Sequence, residues 1–466
     1  MRFSTIPALA RRSHASLKAG YQLFMHVRRQ MAAGQGGFHV GALSRGSCAP
    51  GAMGCFTGAD FLYVYDCGSD PKRHVHREIN TLLAARPERH LDLLVLSHFD
   101  RDHICGTPEL LRKRDGFSVD TIMLPFVEMD ERIVALAQAA AEQEDSGGYI
   151  DHFFIDMVFE PIETLAKFGP RRIILVRGDS DDTPMDGGGS PDFDPDAPEV
   201  RVKRRDHRPI DGEDPIKMAL VDAYNDPQRP AGHQYRATSG SAQVFEVRNL
   251  ALALSNTNLS VEWKLLPWVR RAAPTDVATF RAKVEVLFGW PCGSFATQVL
   301  KPAIRHQMAV TKRIKMAKAY REAFSDKNLT SLCLYSGPRY PDRMLATAAV
   351  PRLPNHSLTK IGWLGTGDAH LKDPTDIAAF KHGYAQDLAY VSTYLFPHHG
   401  SIKNSDPGDL IVEADMWVAA ADPIHDWEHP HWQLQGAVAT MGKIFRHVRA
   451  SVPTAAQEVF FVIGKP

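Results

Sequence analysis

With 466 residues, 44% of them hydrophobic and 23% charged, the chain has the composition of a folded, water-soluble protein, and disordered or collagen-like classes are excluded. Its 54 basic and 54 acidic residues cancel, so any surface for nucleic acid must be local. Six cysteines without a CxxC pair, no apolar run near the ~18 residues of a membrane span and no secretory h-region together point to a reduced, cytoplasmic setting with no membrane partner.

No Asp or Glu precedes Asp60, whereas Arg2, Arg11, Arg12, Lys18, Arg28 and Arg29 do, so residues 1–37 read as a basic, peripheral arm. A strand-like passage opens at Phe38-His39-Val40-Gly41 and runs into a loop rich in Gly, Ser and Cys. Residues 61–65 form a strong strand that ends in Asp66-Cys67-Gly68. Residues 74–85 have helical character, and 91–96 are the next strand. Directly after it comes the densest cluster of ligand-type side chains in the chain, His98-Phe99-Asp100-Arg101-Asp102-His103. Positions 98, 100 and 102 alternate, so an extended or looping backbone can aim them at one point. Imidazole with carboxylate suits zinc, manganese or iron. Thr107 and Pro108 then read as N-cap and first turn of a helix, and 119–124 as a strand. Strand, helix and strand in this order indicate a layered α/β fold.

From about Glu128 the pattern changes, with helices expected at 131–144 and 153–168 and a strand at 172–176. Residues 178–214 are rich in Asp, Pro and Gly and carry a basic knot, Arg201-Val202-Lys203-Arg204-Arg205. They read as an exposed, flexible acidic loop. Strands resume at 243–248, 250–255 and 261–266, followed by a helix at 276–287. Residues 302–324 read as one long helix. At about 100° per residue, Lys301, Arg305, Lys312 and Lys315 share roughly an 80° arc, a basic stripe that is either a solvated face or a phosphate-tracking surface. A strand at 360–364 ends in Gly365-Thr366-Gly367-Asp368, and 387–396 leads to Pro397-His398-His399-Gly400-Ser401. A strand at 415–420, then His429-Pro430, a helix over 432–447 and a strand at 458–463 complete the chain.

The polar clusters share a grammar: an apolar strand ends, and a His or Asp stands just beyond it. Such ligands converge when their strands lie side by side in a sheet. His98 to His103 matches the HxHxDH signature with Asp in place of the second His, and the chain thereby resembles the metallo-β-lactamase fold superfamily. The HxDxDH form, with Asp66-Cys67-Gly68 before it, is similar to the C-terminal hydrolase domains of the competence protein ComEC. Asn328 with Ser331-Leu332, Thr366-Gly367-Asp368, Pro397 to Ser401 and His429-Pro430 agree in order. The likeness covers about residues 38–125 and 325–466 and leaves 128–325 without a counterpart. It divides the chain into the arm, a first half at 38–127, a large mixed insertion at 128–325, and a second half at 326–466.

The resemblance implies an αββα sandwich with two divalent ions, zinc or manganese, at one edge. His98 and Asp100 would hold the first, Asp102 and His103 the second, and Asp368 would bridge them. His399 would complete the second site, with His398 as its competitor. The usual intermediate His is not placed; Asn328 and His356 are candidates. Asp102 would also accept a proton from the attacking water, and His429 would contact the scissile phosphate or carbonyl oxygen. Asp100 makes the site harder and moves its preference towards manganese.

The expected function is a metal-dependent DNase, with RNA a less favoured substrate. Lys301, Arg305, Lys312 and Lys315 are the candidate nucleic-acid contacts. The alternatives are a hydrolase of a small phosphodiester or lactone on the same fold, and a non-catalytic regulatory module. The loop at 178–214 suggests release by a protease or a regulatory partner, as in an antiviral defence effector. A homo-oligomer is compatible with the sequence.

Overall fold

The computed structural model describes residues 23–45, 56, 59–146, 150–178, 216–224, 229–255, 262–324, 330–350, 360–423, 428–452 and 456–464. In chain order the strands are β1 (Leu23–Gln30), β2 (His39–Arg45), β3 (Phe61–Tyr65), β4 (His90–Val95), β5 (Ser118–Pro125), β6 (Arg172–Val176), β7 (Lys217–Asp222), β8 (Gly232–Ser239) and β9 (Ala242–Arg248). They continue as β10 (Leu250–Ser255), β11 (Trp263–Arg270), β12 (Ser331–Pro338), β13 (Met344–Val350), β14 (Gly362–Gly365), β15 (Val391–Leu395), β16 (Met416–Ala420), β17 (Ile444–Val448) and β18 (Ala456–Gly464). A ten-stranded sheet has the order β13-β18-β1-β2-β3-β4-β5-β6-β9-β8, and an eight-stranded sheet the order β17-β16-β15-β14-β12-β11-β10-β7.

Both sheets are mixed. β3, β4, β5, β6 and β9 run parallel to one another, as do β14, β15, β16 and β17. The carboxyl ends of each parallel run collect along one edge, where open α/β sheets place their ligand-binding loops.

One face of each sheet meets the other in a shared apolar layer. Phe61, Tyr63 and Tyr65 of β3 and Val95 of β4 lie there with Leu332 and Leu334 of β12 and Trp363 of β14. The alternate residues Leu62, Val64 and Leu94 point the opposite way, into a core with Ile79 of the Arg73–Ala85 helix and Ile133 of the Met129–Ser146 helix. Strand β3 is therefore buried on both sides, which explains its unbroken apolar run. The outer face of the second sheet packs Leu364, Tyr394 and Trp417 against Phe380 and Leu434 of two further helices.

Part of the expected amino-terminal arm is a strand. Its last part forms β1, between β2 and β18 in the first sheet. Arg28 lacks an acid nearby in sequence and finds one in the last strand, with Nε 2.6 Å from Glu458 Oε2. Its guanidinium also donates to Ile361 O and Thr393 Oγ1, both at 2.8 Å.

The segment at 128–325 is woven into the fold. It supplies β6, β8 and β9 to the first sheet and β7, β10 and β11 to the second. Three expected helices are divided. Pro161 opens a new helix, Pro161–Ala166, after His152–Phe159, because proline lacks the N–H that a continuing helix needs. The 302–324 stretch is Pro302–His306, a π-turn at Gln307–Thr311, and Arg313–Ala323. The last helix stops at Thr440; Gly442, at φ 67°, turns the chain into β17. Thr107 lies inside its short helix, and Gly106 takes the cap position. The expected acidic loop lies outside the described residues apart from Gly178, and so does the Arg201–Arg205 knot. No helix among the described residues is long and apolar enough to cross a membrane.

Candidate metal centre

The centre is built from strand ends. Asp66 follows β3, His98 to His103 follow β4, Asp368 follows β14, and His398 and His399 follow β15. Asp66 is held at φ 60°, in the left-handed region that costs a non-glycine residue energy. Three hydrogen bonds fix it there: Oδ1 accepts from Ser97 N at 2.7 Å, and Oδ2 accepts from Ser97 Oγ at 2.7 Å and His103 Nδ1 at 2.9 Å. A Cβ on Gly37 would stand 2.6 Å from Asp66 Cβ and 2.8 Å from His103 Nδ1, so only glycine leaves room for this pair.

These bonds decide the histidine tautomers. The Ser97 hydroxyl has one proton and gives it to the Asp66 carboxylate, which can only accept. His98 Nδ1, 2.7 Å from the same hydroxyl, must therefore donate to it. His103 Nδ1 donates to Asp66. His399 Nδ1 donates to Ala420 O at 2.9 Å, and His398 Nδ1 to Asn404 Oδ1 at 2.9 Å, while the Asn404 amide donates to Asp368 O. In the neutral form of each ring these bonds place the proton on Nδ1 and turn the Nε2 lone pair inward.

Those lone pairs face carboxylates. His98 Nε2 lies 3.6 Å from Asp100 Oδ2 and 3.7 Å from Asp368 Oδ2. His103 Nε2 is 3.1 Å from Asp368 Oδ1 and 3.8 Å from Asp102 Oδ2. His399 Nε2 is 3.0 Å from Asp102 Oδ2, and His398 Nε2 is 3.7 Å from Asp368 Oδ2. The Nε2 atoms of His98 and His103 are buried without a hydrogen-bond partner. Lone pairs and carboxylate oxygens repel unless a cation stands between them, so this donor set fits metal ions. Two overlapping groups emerge, His98 with His103 and Asp368, and Asp102 with His103 and His399, each with its ligand atoms within 4.8 Å of one another.

Proton affinities tell the same story. Burial and the neighbouring His103 pull the His98 proton affinity down, yet Asp100 and Asp368 outweigh them and raise it. At His103 burial is again overcome, by Asp368, Asp102 and Asp66, and the ring is held well above the usual imidazole value. Burial works to raise Asp368, but His103, His398 and His98 hold it well below the carboxylate range. Asp102 is lowered too, against burial, by His103 and His399. In these protonated forms the proton occupies the place that suits a metal.

The structure thus brings together His98, Asp100, Asp102, His103, Asp368 and His399. His398, expected as the competitor of His399, lies beside them with its Nε2 on the Asp368 carboxylate. Asn328 and His356 lie outside the described residues. His429 stands at the rim, its ring centroid 5.3 Å from His398 and 6.3 Å from His399. Burial and then the two histidines lower its proton affinity to about 3, so it is neutral across the working range.

Each side chain of the basic stripe meets a partner of its own. Lys301 donates to Gln298 Oε1 at 2.9 Å and Lys315 to Leu287 O at 2.6 Å. Arg305 pairs with Glu160, and Lys312 lies 5.4 Å above the Phe288 ring.

Four further residues position the ligands. Asp66 was visible as a strand-end acid, but its hold on His103 was not. Ser97 and Asn404 carry no signal of their own. Gln138, whose amide donates to Asp100 Oδ2 at 2.9 Å, comes from the Met129–Ser146 helix. A third group, His370 with Asp373 and Asp376, lies elsewhere. There Arg270 Nη2 is already 3.0 Å from Asp376, so the group forms an ion-pair network.

Compared with known protein families and with curated proteins, the chain matches none.

Proposed function

We propose that this chain is a metal-dependent phosphodiester hydrolase with a metallo-β-lactamase-like αββα arrangement, acting on DNA in preference to RNA. The observation that carries the reading is the convergence of four imidazole Nε2 atoms on three carboxylates at the strand ends of both sheets. His98, Asp100 and His398 would hold a first ion, Asp102, His103 and His399 a second, and Asp368 would face both. Two divalent ions held there would supply Lewis acidity, for activating a water near neutral pH and for offsetting charge on a phosphoryl oxygen.

The chain's own groups do the rest. Asp66 and Ser97 keep two imidazoles turned inward, so no reorientation is needed when a substrate arrives. Asp102 is within reach of the centre as a proton acceptor. His429 is neutral and offers a hydrogen bond, not a charge, to a substrate oxygen. A small recess beside His98, Phe99 and Asp100 is partly open to solvent, so the first ion's side of the centre is reachable from outside.

The test is a panel of supercoiled, linear and single-stranded DNA, RNA and bis-p-nitrophenyl phosphate, assayed with zinc or manganese. The wild type is expected to cleave DNA, and the Asp102→Ala/His103→Ala variant to be inactive while still folded. Equal cleavage by both forms rejects the proposal. Turnover of the small diester alone, or of a lactone alone, would replace the DNase reading with a small-molecule one.

A further inference from the structure

The recess has a second wall, from the Met129–Ser146 helix. Glu131, Arg132 and Gln138 line it opposite His98 and Asp100. Two of these side chains are committed. Glu131 accepts from Thr330 Oγ1 at 2.7 Å and from Arg271 Nη2 at 3.2 Å, and Gln138 donates to Asp100. Arg132 is not. Among the described residues its side chain makes no hydrogen bond and no ion pair, and its Nε is buried without a partner. Glu160, the acid that acts on it most strongly, is engaged by Arg305.

A partly buried guanidinium without an acceptor is costly to keep, and a bound anion would remove that cost. Its planar fork matches two oxygens of one phosphate. We propose that Arg132 recognises a phosphate of the substrate that neighbours the scissile bond, which makes this wall of the recess an anion subsite beside the metal centre. The inference rests on the phosphodiester reading for the identity of the anion. Burial lowers the Arg132 pKa to about 10, with Glu160 and Glu128 opposing, so the group keeps its charge at neutral pH. A phosphate held there would fix the register of the chain, so that the next diester lies over Asp100 and Asp368. Arg132 would then set affinity for polymeric substrates and leave the chemical step to the centre.

The experiment compares the full-length protein as purified with Arg132→Gln and Arg132→Lys. Inorganic phosphate is titrated calorimetrically, and metal content and melting temperature are recorded for each. The Gln variant is expected to bind phosphate about tenfold more weakly, and the Lys variant to recover part of the loss because it keeps the charge without the fork. In the cleavage assay, KM for an oligonucleotide should rise about tenfold with kcat within about twofold, and bis-p-nitrophenyl phosphate, which has no flanking phosphate, should be turned over as before. Equal phosphate affinity in wild type and the Gln variant, with metal content and melting unchanged, overturns the subsite. If the Gln variant does not fold, the Lys variant decides: no loss of phosphate affinity overturns the subsite equally. If phosphate binding depends on Arg132 while the wild type cleaves no diester, the subsite stands and the hydrolase reading falls.

Discussion

Asp66→Asn is the most informative single change at the centre, because it alters protons and almost nothing else. Asp66 accepts three hydrogen bonds, from Ser97 N at 2.7 Å, Ser97 Oγ at 2.7 Å and His103 Nδ1 at 2.9 Å. An asparagine has one acceptor oxygen. If that oxygen faces Ser97 N, the amide NH₂ faces His103 Nδ1 and donates to it. The His103 proton then moves to Nε2, and the ring can no longer ligate. If the amide is flipped, two donors meet at Ser97 N, which costs ~1–3 kcal/mol. Either way the second metal should bind about 10- to 100-fold more weakly, ~1.4–2.7 kcal/mol. Competition with a chromophoric chelator measures this directly, with melting of the metal-free protein as the folding control. Wild-type affinity in Asp66→Asn would refute the claim that this carboxylate sets the His103 tautomer.

Two pH effects follow, with opposite signs. The proton affinities of His98 and His103 are raised in the metal-free fold, so their protons stabilise that fold at low pH and the benefit fades as pH rises through the raised values. Metal must displace these protons. Its affinity should therefore increase with pH across the neutral range, with proton release seen as a dependence of the calorimetric heat on buffer ionisation enthalpy; a buffer-independent heat would contradict this. His26 and His39 behave in the reverse way: burial and then Arg28 push both well below the usual imidazole value. The unfolded chain takes up these protons below about pH 6.5 and the folded chain does not, so stability should fall on acidification by up to ~2.7 kcal/mol per pH unit for the pair. Urea denaturation between neutral and mildly acidic pH measures it, and His26→Phe/His39→Phe should flatten the slope; an unchanged slope would assign the acid sensitivity to other groups.

The strand ends were legible because two signals coincide there. An apolar run such as Phe61–Tyr65 needs burial on both sides, and a carboxylate placed just after it needs a partner. The same grammar located Asp66, His98 to His103, Asp368 and His398/His399 without knowledge of which strands are neighbours. What failed was whatever depends on a distant partner. Arg28 reads as part of a peripheral arm because its carboxylate, Glu458, lies in the last strand. Strand β17 looked helical because its apolar residues follow a helix without a break in composition, and the turn rests on Gly442 alone. Gln138 and Arg132 carry no local mark at all. They gain meaning only because the Met129–Ser146 helix lies along the recess beside Asp100.

The central claim is that residues more than 250 positions apart form one two-ion centre around Asp368. Metal content per chain, measured by elemental analysis after reconstitution with zinc or manganese and removal of free ions, tests it most directly. The wild type should retain about two equivalents and Asp368→Ala less than one, because that carboxylate faces His98, His103 and His398 together. A wild type that retains none, or an Asp368→Ala variant that retains as much as the wild type, would contradict the account.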